Sequence, residues 1–186
     1  GSRLDEYPEC DTDEADGFEV GFVVKEDDFA TFKSRASEVY KYFNTQPIVT
    51  GTDFEHEQPS EPKLSGDDWG FIGSHKDSIA IMGNIGYPID EQKFWNDNLS
   101  WHEARNEPVY QMLNAGVILH FDIGELSMTA SREGLEYTDF VKEVINNKVM
   151  KLHADLQKRV NGEFKHCNSM YEARLTLADY GDVIRT

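Results

Sequence analysis

The stretch from Gly116 to Val160 constrains the fold more than any other part of this chain. Residues 116–122 form a nearly continuous apolar run, which predicts a buried strand. Thr138 supplies the hydroxyl that is typical of a helix N-cap, and apolar residues follow it every three or four positions: Val141, Ile145, Val149, Leu152, Leu156 and Val160. A strand followed by a helix with one apolar stripe predicts a helix packed on a sheet.

Shorter elements are predicted before this unit. Residues 17–24 alternate apolar with small or polar side chains, which predicts a strand. Residues 26–43 begin with three acids and then repeat apolar side chains every three or four positions, which predicts a helix. Residues 69–73 and 78–82 predict two strands joined as a hairpin. Residues 91–108 lack clear periodicity and are expected to be irregular, with one helical turn.

The end of the chain predicts two further features. Asn161 and Gly162 are expected to end the long helix. Ser169 and Glu172 then have the spacing of a capping box, so a last helix is expected over residues 169–180. Strands and helices alternate irregularly, which favours an α+β fold with a mixed sheet and packed helices over a doubly wound sheet.

Composition excludes several classes of function. The chain has 18 basic and 35 acidic residues and a formal net charge of -17, so it repels nucleic acid and anionic membrane surfaces. Eighteen apolar residues nowhere run together, so neither a membrane span nor a signal peptide is expected. Cys10 and Cys167 lie near opposite ends, which argues against a disulfide framework or a zinc site and favours a cytosolic setting.

Sequence motifs for independent catalysis are absent. The chain has neither the glycine-lysine pattern of a phosphate-binding loop nor a nucleophile elbow, and no two of its six histidines are four residues apart. His120 falls inside a predicted strand, where a place on the strand face is the simpler interpretation. Asp67 and Asp68 have the chemistry to bind a cation, although carboxylates are abundant throughout the chain.

Between Arg105 and Lys142, the sequence contains one basic Lys or Arg residue, Arg132. It follows the small residues 129–131 in a loop between the predicted strand and the long helix, and its guanidinium suits one anionic group such as a phosphate. The alternative is that Arg132 pairs with Glu133 or Glu136 and only stabilises a turn.

Four segments resemble the phage rIIA-type proteins, the rapid-lysis family also described as protectors from prophage-induced early lysis. They are residues 17–29, 79–90, 105–107 and 124–135. The runs Tyr87-Pro-Ile-Asp90 and Ser131-Arg-Glu133 are the most specific. Members resemble the gyrase, MutL and histidine-kinase class of ATPases, with an N-terminal nucleotide pocket and then a transducer-like domain similar to domain 2 of ribosomal protein S5.

The resemblance implies that this chain is the second, transducer-like domain, with no cofactor of its own and no turnover alone. It implies that Arg132, supported by Ser131 and Glu133, senses the terminal phosphate of ATP bound with Mg²⁺ in a missing N-terminal ATPase domain. The implied setting is the cytoplasm of an infected bacterium, in lysis timing or resistance to prophage exclusion, and a homodimer is left open.

The expected organisation has three parts. Residues 1–16 are expected to form an acidic tail or loop that begins with the tag-like residues Gly1 and Ser2. Residues 17–161 form the transducer-like domain, and residues 162–186 form a helical extension. Two other functions stay open. One is an acidic module that binds a host or phage protein without sensing nucleotide. The other is an independent enzyme for a small molecule that uses the glycine-rich region from Gly66 to Gly86.

Overall fold

The computed structural model describes residues 17–73, 77–94, 107–131 and 133–180. A five-stranded mixed sheet lies at its centre, with strand order β1-β2-β5-β3-β4. Only β3 and β5 pair in parallel, and the other neighbours are antiparallel. The α+β expectation is therefore confirmed. The strands are β1 Leu64–Ser65, β2 Trp69–Phe71, β3 Ile79–Met82, β4 Ile85–Pro88 and β5 Val117–Phe121.

The described part of the chain contains five α-helices. They are α1 Phe29–Tyr40, α2 Glu91–Phe94, α3 Pro108–Ala115, α4 Asp139–Lys165 and α5 Met170–Asp179, and a 3-10 turn at Glu26–Asp28 leads into α1. Helices α3 and α4 contribute to the main core on one face of the sheet. Across the described ranges, no helix combines the length and the apolar character needed to cross a bilayer.

Helix α4 forms as its sequence predicts at the N-terminus. The Thr138 hydroxyl accepts a hydrogen bond from the Val141 N–H at 3.3 Å. All six residues of the predicted stripe, from Val141 to Val160, are buried. The predicted end at Asn161 and Gly162 is wrong, because the helix continues to Lys165. A glycine inside a helix costs only about 1 kcal/mol relative to alanine, which an established helix tolerates.

The second face of the sheet is covered by residues 41–62, which we call the covering segment. Ile72, Ile81 and Ile118 are buried there, with Tyr42 packed against them. Two glycines allow this close approach. A Cβ on Gly86 would lie 2.3 Å from the Tyr42 ring, and a Cβ on Gly70 would lie 3.0 Å from Pro62. The covering segment therefore packs closely against the sheet at both of its ends.

The predicted strand over residues 17–24 is not formed. This segment pairs with no strand of the described sheet and is largely exposed, with Phe18 at 93% and Val23 at 100% exposure. Alternation of apolar residues does not by itself make a strand, because the backbone also needs a neighbouring strand to bond with. The segment therefore does not share the core with β5, contrary to expectation.

Helix α1 forms, but it is shorter than the predicted 26–43 range and only Ala36 of it is buried. The ring contacts of α1 lie outside the main core; one of them is Phe32, which packs edge-to-face on Phe22 at 4.9 Å between ring centroids. The expectation that this helix packs in one core with β5 and α4 is therefore wrong. Phe32 contacts Phe22 before the helix, Tyr40 contacts Phe54 of the covering segment, and the helix also touches β4 at the edge of the sheet.

The predicted hairpin between β2 and β3 is also wrong. Both strands pair with β5, which lies between them although it follows them in sequence. The actual hairpin joins β3 to β4 through a tight turn at Gly83 and Asn84, where Gly83 has a φ of 65°. When a strand pairs with another strand about forty residues away, the local sequence gives no sign of that pairing. A tight turn, in contrast, has a recognisable local sequence.

Helix α3, of eight residues, was not predicted from the sequence. Within the range 91–108, the one expected helical turn is α2, and residues 95–106 lie outside the described residues. Pro108 occupies its first turn, where a missing N–H costs nothing. Its end is bonded to the sheet through Ser78, which is 1% exposed. The Ser78 hydroxyl donates to the Leu113 carbonyl at 2.6 Å and accepts from the Val117 N–H at 3.0 Å. This serine therefore fixes the passage from α3 into β5.

Candidate functional site

The connection between β5 and α4 begins with a tight turn. Asp122 N–H donates to the Glu125 carboxylate at 2.8 Å, and Glu125 N–H donates back to the Asp122 carbonyl at 3.1 Å. Gly124 has a φ of 95°, in the region that favours glycine. Leu126 then enters the main core. The chain thus leaves the sheet at Asp122 and returns to the core four residues later.

Residues 127–136 then form a loop that is closed at its base, which we call the arginine loop. Met128 and Leu135 pair as an antiparallel bridge, and Glu136 N–H donates to the Ser127 carbonyl at 2.9 Å. Thr129 N–H donates to the Gly134 carbonyl at 2.9 Å. Leu135 is buried in the main core. The base of the loop is therefore fixed by backbone bonds and by packing.

The tip of the arginine loop faces solvent on both sides of Arg132. Thr129, Ala130, Ser131 and Glu133 are exposed. The Ser131 and Thr129 hydroxyls lie 3.2 Å apart, within hydrogen-bonding distance. Arg132 lies outside the described residues, so its binding of an anionic group and its alternative pairing with Glu133 or Glu136 stay predictions. The structure thus brings Ser131 and Glu133 to one exposed tip.

Two tyrosines fix the arginine loop to the edge of the sheet. The buried Tyr87 of β4 donates its hydroxyl to the Met128 sulfur at 2.8 Å. The Tyr137 hydroxyl accepts a hydrogen bond from the Asp90 N–H at 2.6 Å. Burial raises the pKa of Tyr137, so its hydroxyl stays protonated at neutral pH. The run from Tyr87 to Asp90 therefore contacts the base of the arginine loop at Met128 and the residue that follows the loop, Tyr137.

The exit from the loop is fixed as well. Thr138 N–H donates to the Glu136 carbonyl at 2.8 Å, and the same threonine caps α4. Because the stripe of α4 is buried against the sheet, the loop connects two rigid elements. Sequence reasoning missed Met128 and Tyr137 as anchors. Tyr87 was part of the quoted run, but nothing in the sequence paired it with a residue about forty positions later.

The other residues considered from sequence lie away from the arginine loop. Asp68 is engaged by two lysines, with Lys148 Nζ at 3.6 Å and Lys151 Nζ at 3.4 Å from its carboxylate. Within the described ranges, no group of three or more His, Cys, Asp or Glu side chains has the arrangement to hold a metal ion. The lysine pairing gives Asp68 a structural partner, so the structure offers no support for cation binding by Asp67 and Asp68.

His120 is an exposed strand-face residue of β5, as predicted, and it lies on the second face of the sheet together with Ile118. Its carbonyl accepts a hydrogen bond from Lys148 Nζ, and that ammonium also lies over the Phe121 ring at 4.2 Å. Burial, and then the charge of Lys148, lower the pKa of the His120 imidazole. No nucleophile is paired with this ring in the described residues, so His120 has no catalytic arrangement there.

Comparison with known proteins identifies no relative of this chain. No protein-family model, no curated protein and no solved structure matches this chain. The arrangement around the arginine loop is therefore the main basis for a functional proposal.

Proposed function

We propose that this chain is a transducer-like domain, similar to domain 2 of ribosomal protein S5, of a phage rIIA-type protein. It has no turnover of its own. It presents Arg132 to the terminal phosphate of ATP, held with Mg²⁺ in a preceding ATPase domain, and passes domain closure onward. The proposed setting is the cytoplasm of an infected bacterium, in lysis timing or resistance to prophage exclusion.

One observation carries this proposal: a solvent-facing loop tip stands on a base that is locked to the core. Ser131 and Glu133 are exposed, whereas Leu135 is buried and Met128 is held by Tyr87. A guanidinium stabilises transferred phosphate best when its backbone does not have to reorganise. A fixed base beside an exposed tip suits that role, and it would transmit a displacement of the tip to β4 through Tyr87.

The experiment compares variants of the parent protein that contains both domains. Arg132→Ala is expected to slow ATP hydrolysis by a factor on the order of 10², with an unchanged melting temperature. Arg132→Lys retains the charge without the planar fork and should be intermediate. The matched control is Arg35→Ala, which removes an exposed arginine paired with Glu38 on α1. Wild-type hydrolysis by Arg132→Ala, in a parent that hydrolyses ATP, would reject the sensing role.

A second candidate function is a module that binds another protein without sensing nucleotide. The exposed apolar side chains of residues 17–24 favour it, since a soluble domain rarely displays so many in one segment. Acidic residues 26–28 follow them after Lys25. Changing Phe18 and Val23 to serine in the phage protein separates the two functions. A loss of lysis control in that variant, with Arg132→Ala unaffected, would favour the binding module.

A further inference from the structure

Residues 17–24, which we call the free segment, have backbone groups without a partner in the described part of the chain. The segment forms no helix, strand or turn, and none of its N–H or carbonyl groups is hydrogen-bonded to another described residue. A folded chain usually satisfies these strong hydrogen-bonding groups within its secondary structure. The free segment therefore has a row of backbone donors and acceptors that a second strand can use.

The side chains of the free segment alternate as they do in a strand with one apolar face. Phe18, Val20 and Phe22 stand at alternate positions, and each is at least 60% exposed. Successive side chains of a strand point to opposite faces, so these three would share one face, with Glu19 and Val23 on the other. An apolar ladder that no element covers is typical of a surface that binds another protein.

One contact holds the free segment beside α1 without covering its apolar side chains. The Phe22 and Phe32 rings pack edge-to-face at 4.9 Å between centroids, yet Phe22 remains 60% exposed. Phe29, at the start of α1, is exposed as well. The segment is thus attached to the domain near its C-terminal end, while Phe18 and Val20 stay accessible to a partner.

The two edges of the described sheet suit the free segment poorly, whether it comes from the same chain or from a second copy. Strand β1 is only two residues long. Just after β4, Ile89 N–H donates inward to the Ser78 carbonyl, so the alternation of an antiparallel pair turns the backbone of Pro88 and Gly86 outward. Pro88 has no N–H to donate, and a proline at this place blocks further pairing. Another protein is therefore the better partner.

The charge around the free segment defines the chemistry of that partner. Residues 17–32 contain four acidic residues, Glu19, Glu26, Asp27 and Asp28, and one basic residue, Lys25. The chain as a whole has a formal net charge of -17, so a second copy is repelled and a basic surface is attracted. Complementary charge also speeds association and excludes partners of the wrong sign. The partner strand is therefore expected to have Lys or Arg side chains between its apolar ones.

We propose that the free segment binds another protein by strand addition, at an open sheet edge whose strand alternates apolar with basic side chains. Backbone hydrogen bonds supply the affinity, and the alternate side chains Phe18, Val20 and Phe22 supply the selectivity. This inference rests on the protein-binding function given above as the second candidate, and it names the kind of partner and the mode of binding. It does not depend on ATP sensing by Arg132.

The test uses two hairpin peptides of the same composition and charge. Lys-Val-Lys-Val-Asn-Gly-Val-Lys-Val-Lys has a valine face, a lysine face and open backbone edges, whereas Lys-Lys-Val-Val-Asn-Gly-Val-Val-Lys-Lys lacks the alternation. Each is titrated into the full 186-residue chain by calorimetry at pH 7. The alternating peptide is expected to bind with a dissociation constant of about 0.1–1 mM, and the other at least about tenfold more weakly. Absence of binding at about 10 mM, or equal affinity for the two peptides, would overturn the proposal.

Amide hydrogen exchange then locates the binding. Exchange in residues 18–24 should become slower at saturation with the alternating peptide, because pairing protects the N–H groups that face the partner. Unchanged exchange in that range would overturn strand addition. The same peptide with glutamate in place of lysine should bind at least about tenfold more weakly, and equal binding would reject the basic partner.

Two proline variants test the role of the backbone. The N–H groups of neighbouring strand residues point to opposite sides, so either Val20→Pro or Gly21→Pro removes one that faces the partner. At least one of them should weaken binding of the alternating peptide about tenfold or more. Gly21→Ala is the control, because it keeps the N–H and its Cβ meets no atom within 4 Å. Unchanged affinity in both proline variants would overturn the proposal.

These titrations contain no nucleotide, so their failure would leave the sensing role of Arg132 standing. They are also separate from the wider protein-binding function. If the phage variant with serine at Phe18 and Val23 loses lysis control while the alternating peptide does not bind, strand addition alone is rejected.

Discussion

The Tyr137 hydroxyl lies 2.6 Å from the backbone nitrogen of Asp90 and accepts its hydrogen bond. Forty-seven positions separate the two residues along the chain. The bond joins the end of the arginine loop to the segment just after β4. It therefore couples the proposed phosphate-sensing loop to the edge of the sheet, and it gives a direct way to test that coupling.

We expect Tyr137→Phe to lower the free energy of unfolding by about 1–2 kcal/mol, because the Asp90 N–H loses its acceptor. Amide hydrogen exchange in residues 128–136 should become faster. Urea denaturation and exchange mass spectrometry measure the two effects. Tyr171→Phe is the control, because Tyr171 is exposed on α5. Unchanged exchange in the arginine loop would show that Tyr137 does not hold it.

The apolar stripe of α4 should dominate stability. Ile145 is fully buried at the centre of that stripe, so Ile145→Ala leaves a cavity in the main core. The expected loss in the free energy of unfolding is about 2–5 kcal/mol, measured by denaturant titration. Met150→Ala changes an exposed apolar residue of the same helix and should cost less than about 1 kcal/mol. Equal losses in the two variants would contradict the packing described above.

The sequence predicted the elements whose signals are local. Strand β5 follows from an apolar run, and the start of α4 follows from Thr138 and a stripe that needs only one buried face. The arginine loop was also expected between this strand and this helix, and it lies there. Its anchors could not be predicted, because Tyr87 and Tyr137 meet their partners through tertiary packing alone.

The wrong predictions concern features that depend on tertiary pairing and not on a local sequence signal. Strand pairing depends on which edges are free, and β5 occupies the place between β2 and β3 that a hairpin would need. Residues 17–24 have a strand pattern but pair with no described edge. The missed helix α3 had a usable signal, since Val109, Met112 and Leu113 have helical spacing after Pro108, and all three are buried.

Two glycine substitutions should have opposite effects. Gly86→Ala places a Cβ about 2.3 Å from the Tyr42 ring, so it should destabilise the fold and displace the covering segment. Gly162→Ala meets open space in α4 and should stabilise the chain by about 1 kcal/mol. Thermal denaturation measures both. Tyr42→Ala combined with Gly86→Ala should recover part of the loss relative to the sum of the single changes. Strict additivity would contradict the contact.

The isolated chain should not bind ATP more tightly than about 1 mM, and it should hydrolyse none. Its acidity repels the triphosphate, and its sequence lacks a phosphate-binding loop. Calorimetric titration with MgATP, together with a phosphate-release assay, measures both properties. Micromolar affinity would mean that the chain contains a nucleotide pocket of its own, which would reject the proposed division into an ATPase domain and a sensing domain.

The dependence of stability on pH should report on the environment of His120. Burial, and then the charge of Lys148, lower its pKa in the folded chain, whereas an unfolded histidine titrates near about 6.5. Below about pH 6.5 the unfolded chain binds more protons at this position than the folded chain does. The contribution of His120 to stability is therefore fully present above about pH 6.5, and it is lost as the pH falls through the folded pKa. His120→Gln should therefore lose less stability than wild type between pH 8 and pH 5.

An NMR titration of the imidazole resonances tests the cause directly. The pKa of His120 should lie below about 6.5, and Lys148→Met should raise it because that change removes a nearby positive charge. Urea denaturation of wild type, His120→Gln and Lys148→Met at several pH values gives the matching stability slopes. Lys148→Met should have a slope between the other two. A His120 pKa at or above the unfolded value would refute both the assigned cause and the predicted direction of the pH effect.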